Sequence, residues 1–192
     1  MVKVIAGGLV AGIVVFFWGA FSHLVLRIGN MGVRQIPNED SVIGAIRNAI
    51  QEPGFYFFPG MDMSRAPSES EQQAWNAKLK EGPAGVLILQ PQGGEAMSPR
   101  QLGTQLATDL VAALLAAILL SQARGNYWGR VAFVTLLGIF GFVTISVPYW
   151  NWYAFPNDFT MAEAIDQVLG WFLAGLVLAA IVRCPKAPAP AQ

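Results

Sequence analysis

The 192-residue chain holds one histidine, His23, and one cysteine, Cys184. That pair of counts restricts its chemistry from the start. A lone cysteine forms no internal disulfide, and a lone histidine builds no histidine-rich metal centre. No HExxH, CxxC, GxGxxG or phosphate-loop pattern occurs, and no serine sits in a nucleophile motif. What remains are polar residues embedded in apolar runs. Asp109 is one, preceded by Gln101, Thr104, Gln105 and Thr108. On a helix Gln101, Thr104/Gln105 and Thr108 share a face, with Asp109 at its edge. Asp109 stands roughly 15 Å along such a helix from Pro99, at about 1.5 Å per residue. A carboxylate inside a bilayer is costly and usually faces a bundle interior with a partner. It is read either as a proton or ligand site or as a hydrogen-bond clamp between helices worth about 1 kcal/mol. One carboxylate alone makes no relay, which favours the clamp.

His23 lies near the end of another apolar run, at a depth expected to match that of Asp109. One reading pairs the two, with Ser22 and with Thr144 or Ser146. The expected intramembrane polar cluster is then Asp109, Thr104, Thr108, Ser22, Thr144 and Ser146. A second reading makes His23 an axial ligand to a haem or chlorin, with Gly19 leaving room on the same face. This small-xxx-His spacing resembles the pigment-binding helix of bacterial antenna polypeptides, which also run with the N-terminus inside and the histidine toward the outside. The resemblance covers one helix, and it implies a cofactor-binding role for His23 alone. The plainer expectation is no cofactor, with His23 bonding to a neighbouring helix or to headgroups.

The elements that must position these residues are apolar. Hydrophobic residues make up 54% of the chain and charged ones only 12%, with zero net charge; a soluble domain carries about 25% charged residues. That balance excludes intrinsic disorder and argues against a nucleic-acid partner. Four segments are long enough to cross a bilayer, which takes about 20 apolar residues. The expected spans are 1–26, 99–123, 131–148 and 164–183, with Asp166 at the edge of the fourth. The fold class is therefore a mainly α membrane protein of four transmembrane helices. The first span is too long for the apolar part of a signal peptide and is read as an uncleaved anchor.

Basic residues mark the sides. Lys3, Arg124, Arg130, Arg183 and Lys186 flank the spans at what the positive-inside rule makes the cytoplasmic face. Both termini are thus expected inside and residues 27–100 outside. An aromatic loop, 149–163, is expected at the outer boundary, and a Pro/Ala tail, 184–192, on the inside. Gly8 and Gly12 form a GxxxG, and Ala112/Ala116 and Ala113/Ala117 are further small pairs that let helices approach.

Residues 27–98 read as a small α/β cap. A helix follows Pro37, with Val42, Ile43, Ile46 and Ile50 at helical spacing. Phe55–Phe58 and Gly85–Leu89 read as strands, the second apolar throughout and so expected to be covered on both faces. Between them Ser68 and Glu71 form a capping box on a second helix. A helical crossover predicts a parallel pair. Ser98 and Pro99 start the second span.

With about 70 residues, the cap is marginal alone and is expected to rest on the membrane domain or a partner. The absence of exported cysteine pairs favours a bacterial inner membrane. The expected function is non-enzymatic: an accessory or assembly subunit of a larger membrane complex, with other subunits or a second copy as partner. The alternatives are a small transporter or sensor using Asp109 and His23, and a haem- or chlorin-binding subunit.

Overall fold

The computed structural model describes residues 1–183, so Cys184 and the Pro/Ala tail lie outside the described residues. In chain order the helices are α1 (Val2–Phe21), α2 (Glu39–Ala49), α3 (Glu69–Glu81), α4 (Pro99–Gln122), α5 (Tyr127–Gly141), α6 (Val147–Tyr153) and α7 (Asn157–Ile181). Two strands, β1 (Gly54–Phe58) and β2 (Gly85–Leu89), complete the fold. The chain divides into two compact units. One is helical and joins Met1–Val33 to the part that begins at Met97; the other is Arg34–Ala96.

The helical unit supplies four helical segments long and apolar enough to cross a membrane: Val2–Leu26, Pro99–Gln122, Tyr127–Tyr153 and Asn157–Ile181. Each starts for a local reason. Ser98 caps α4 by accepting from the Gln101 N–H, and Pro99 fills the first turn, where no N–H is needed. Asn126 caps α5 through the Gly129 N–H. Pro156 precedes α7, and Asp158 in its first turn suits the positive end of the helix dipole.

Glycines set the seams. A Cβ on Gly8 would lie 2.9 Å from the Cα of Leu114, and one on Gly12 2.7 Å from the Cα of Leu110. Rising numbers on α1 thus meet falling numbers on α4, so the two run antiparallel and the GxxxG is their seam. Gly7 meets Val182, and Gly170 meets Trp18, which sets α1 antiparallel to α7. Gly138 lies under Trp171 and Gly175 against Val131, which does the same for α5 and α7. The N-terminal ends of α1 and α5 therefore share one end of the bundle with the C-terminal ends of α4 and α7. Ala11, Ala113, Ala117, Leu120, Val134, Ala174 and Leu178 form the buried core.

Two boundaries differ from the sequence expectation. The stretch 149–163 is not a loop: α6 continues to Tyr153, α7 begins at Asn157, and only Ala154–Pro156 is non-helical. Pro148 does not stop the helix because it occupies the first turn of α6, where its missing N–H breaks no bond. Consequently the fourth long helix starts seven residues before the expected 164 and carries Glu163 and Asp166 well inside it.

In Arg34–Ala96, Ser68 and Glu71 do form the capping box of α3. The strands, however, pair antiparallel, with Gly54 opposite Leu89 and Phe58 opposite Gly85. The expected parallel crossover gives α3 the return journey to the start of β1. Here the stretch 59–68 carries the chain away, and α3 brings it back to where β1 ended. Trp75 marks the return: its indole N–H donates to the Pro59 carbonyl at 2.8 Å. The expectation that β2 is covered on both faces also fails, since Ile88 is 70% exposed. A two-stranded sheet in a unit where nothing is buried has no layer to cover that strand.

Candidate functional site

Two of the long helices depart from α geometry, and both do so at a serine. After Phe21 the first helix widens into a π-turn over Ser22–Leu26, and after Gly141 the third does so over Phe142–Ser146. Such turns re-aim side chains and recur at functional sites. Both serines are buried, and both face α7. The Ser22 hydroxyl donates to an Asp166 carboxylate oxygen. The other Asp166 oxygen lies 3.7 Å from His23 Nδ1. Trp18 Nε1 donates to the Asp166 backbone carbonyl at 3.2 Å, which fixes α1 on this stretch of α7. Ser146 lies beside Glu163, which stands one turn before Asp166 on the same helix face. Ser146 and Glu163 line a cavity of about 170 Å³ with Tyr149, Phe155, Phe159 and Thr160.

The cluster is therefore Ser22, His23, Ser146, Glu163 and Asp166, drawn from three helices. It joins two carboxylates, an imidazole and two hydroxyls, the groups needed to pass a proton or to surround a small cation with oxygen. No group of three or more His, Cys, Asp or Glu able to hold a metal ion occurs among the described residues.

Of the sequence-derived candidates, Ser22, His23 and Ser146 come together. Asp109 does not join them. Its backbone carbonyl lies beside Gly12, eleven residues before His23 and so about 16 Å away along α1. Its carboxylate accepts from Gln105 Nε2 at 3.0 Å. Thr104 and Thr108 are exposed on α4, the Thr108 hydroxyl spent on the Thr104 carbonyl at 2.9 Å. Thr144 is likewise turned to its own helix, donating to the Phe140 carbonyl at 2.7 Å. Asp166 stands where the sequence reading put Asp109. The missed signal was Pro156: a helix begun there carries Glu163 and Asp166 inward at three-residue spacing.

The His23 ring is half exposed and touches two neighbours. Nδ1 is 3.0 Å from the Gly19 carbonyl. The Cδ2–Nε2 edge packs so closely on Gly29 that a Cβ there would overlap the ring. The space at Gly19 is open, with nothing within 4 Å of its Cβ position.

The opposite end of the bundle holds Arg130, only 4% exposed. Its guanidinium donates to the carbonyls of Leu120 at 3.3 Å, Ala123 at 2.8 Å and Val182 at 3.0 Å. One cation thus finishes the C-terminal ends of both α4 and α7, where helix dipoles favour positive charge.

The Arg34–Ala96 unit offers a different surface. No residue in it is buried. Phe55, Phe57, Val86 and Ile88 alternate onto one sheet face, where Phe57 is 40% and Ile88 70% exposed. Nearby, Arg65 pairs with Glu71, the N3 residue of the α3 capping box. That guanidinium, with the Ser68 N–H and hydroxyl, draws the Glu71 carboxyl down to about 2.

Comparison of the chain with protein-family models, with curated proteins and with solved structures gave no match.

Proposed function

We propose that this chain is a non-enzymatic accessory or assembly subunit of a larger bacterial membrane complex. In this reading it lies in the inner membrane with both termini cytoplasmic and residues 27–100 outside, where the Arg34–Ala96 unit docks a protein partner. The observation that carries it is the open sheet face of a unit in which nothing is buried. About 60 residues without a closed core gain little from their own burial and need another surface. The shared bundle end of Gly7, Arg130 and Val182 supports the sidedness, because Lys3, Arg124, Arg130 and Arg183 flank the long helices there, against Arg27 and Arg100 at the other end. The test is the native size of the full chain in mild detergent. The wild type is expected to run as a complex, and Ile88→Asp or Phe57→Asp to release the chain alone with its unfolding midpoint unchanged. A wild-type chain that is monomeric even after cross-linking in native membranes would overturn the reading.

A second reading is a small sensor or transporter, favoured by the two π-turns that aim serines at Asp166 and Glu163. In it the proton- or cation-exchanging group is Asp166 with His23, and Asp109 plays no part. Vesicles containing the chain are expected to show proton or monovalent-cation flux that Asp166→Asn removes. Equal flux through wild type, variant and empty vesicles would sink it.

A further inference from the structure

We propose that Asp109 is an intramembrane charge latch, and that its partner is a transmembrane segment of another protein carrying a lysine or arginine near mid-depth. This rests on the subunit reading and names the chemistry of a second contact. Asp109 is the eleventh of 24 residues in α4, the middle of a helix long and apolar enough to span. It continues the stripe of Ala113, Ala116 and Leu120, all buried, at helical spacing. At its own level the stripe is no longer covered: Asp109 is only partly buried, and Gln105, one turn on, is exposed. The reason is that α4 packs on α1 along its length but scarcely touches α5 or α7. The carboxylate therefore stands at the flank of the bundle, beside the seam where the Asp109 carbonyl meets Gly12 of α1.

Its hydrogen bonding is half complete. Gln105 donates to one oxygen, and no other partner engages the carboxylate among the described residues. Nor do the described residues supply a cation there. The lysines and arginines within the four long helices are Lys3, Arg100 and Arg130. The first two lie at helix starts, and Arg130 is committed to three carbonyls. A carboxylate at this depth is costly until it meets an opposite charge. Complementarity thus selects a basic residue on a neighbouring helix over a purely apolar one.

The probe is a leucine/alanine transmembrane peptide with one central lysine, compared with a twin bearing leucine there. The full chain, fluorescently labelled at Cys184, is reconstituted in phosphatidylcholine vesicles, and quenching by labelled peptide reports association. The lysine peptide is expected to bind about tenfold more tightly than its twin, as follows from an interhelical polar contact of 1–2 kcal/mol. Asp109→Asn should abolish the difference, and Asp109→Glu should retain it, which separates lost charge from lost fold. Equal binding of the two peptides overturns the proposal, as does an Asp109→Asn chain that still prefers lysine. Self-quenching between labelled chains that depends on Asp109 also overturns it, by giving the site to a second copy. If the peptides fail while Ile88→Asp still dissolves the native complex, the latch falls and the subunit reading stands. If the peptides discriminate but the wild type proves monomeric, the converse holds.

Discussion

The two ends of the helical unit handle buried charge in opposite ways. At one end a single guanidinium is surrounded by backbone carbonyls of Leu120, Ala123 and Val182, and no carboxylate is involved. At the other, two carboxylates on α7 are met by serines from two π-turns and by one imidazole. The first arrangement satisfies acceptors that every helix leaves at its C-terminal end. The second places charge in the middle of a helix, where the backbone needs nothing, and bends two neighbouring helices out of α geometry to serve it. Irregularity that the fold itself does not require is where function is to be sought. The seams follow the same division. Gly7, Gly8 and Gly12 touch their neighbours closely, whereas Gly19, toward the carboxylate end, touches nothing.

The contrast can be broken at its strongest point first. Arg130→Met should cost about 3 kcal/mol, since several charge-assisted bonds are lost and the carbonyls are left bare. Arg130→Lys should recover part of it, because an ammonium cannot fork between two helix ends. Unfolding in mixed micelles measures both, and an unshifted midpoint for the methionine variant would remove the clip from the account. Next comes the seam. Gly12→Leu should destabilise by about 2 kcal/mol through overpacking against Leu110, while Gly19→Ala should leave the midpoint where it was. Equal effects at the two glycines would erase the tight and open halves. Smaller still, Ser22→Ala should cost about 1 kcal/mol, the worth of one hydrogen bond to Asp166. A serine that can be removed without effect would mean that its π-turn serves some other contact.

The smallest effect belongs to opposite charges in full solvent, a third setting that calibrates the other two. Glu71 has its carboxyl drawn from 4.5 to about 2 by Arg65 and the Ser68 cap. The folded form of α3 favours the carboxylate, so this support is complete above about pH 4.5 and fades as pH falls toward 2. Circular dichroism of the full chain should show a small helical loss across that range, absent in Glu71→Gln. An identical acid profile for the variant would assign the loss elsewhere.

Much of this was legible in the residues. Runs such as Val14–Trp18 and Ala112–Leu120 announce long apolar helices, and Ser68/Glu71 and Ser98/Pro99 announce their own caps. The strand sense was not legible, because spacing does not reveal whether the stretch 59–68 or α3 makes the return. The start of α7 was missed since Pro148 reads as a stop when it in fact begins a turn. That error hid Asp166, and with it the true neighbour of His23. Arg130 was read by its charge alone, as a marker of side. Its partners are backbone carbonyls, which no sequence pattern displays.

The clip at Arg130 also bears on how the chain is made. Two of its acceptors lie seven and ten residues upstream, while the third, Val182, is 52 residues downstream. A ribosome delivers the first two together with the arginine, so a hairpin of α4 and α5 can satisfy part of the charge as soon as it emerges. The remainder waits for α7 to be synthesised and inserted. Until then the guanidinium holds only the carbonyls at the end of α4, so the clip between α4 and α7 closes last.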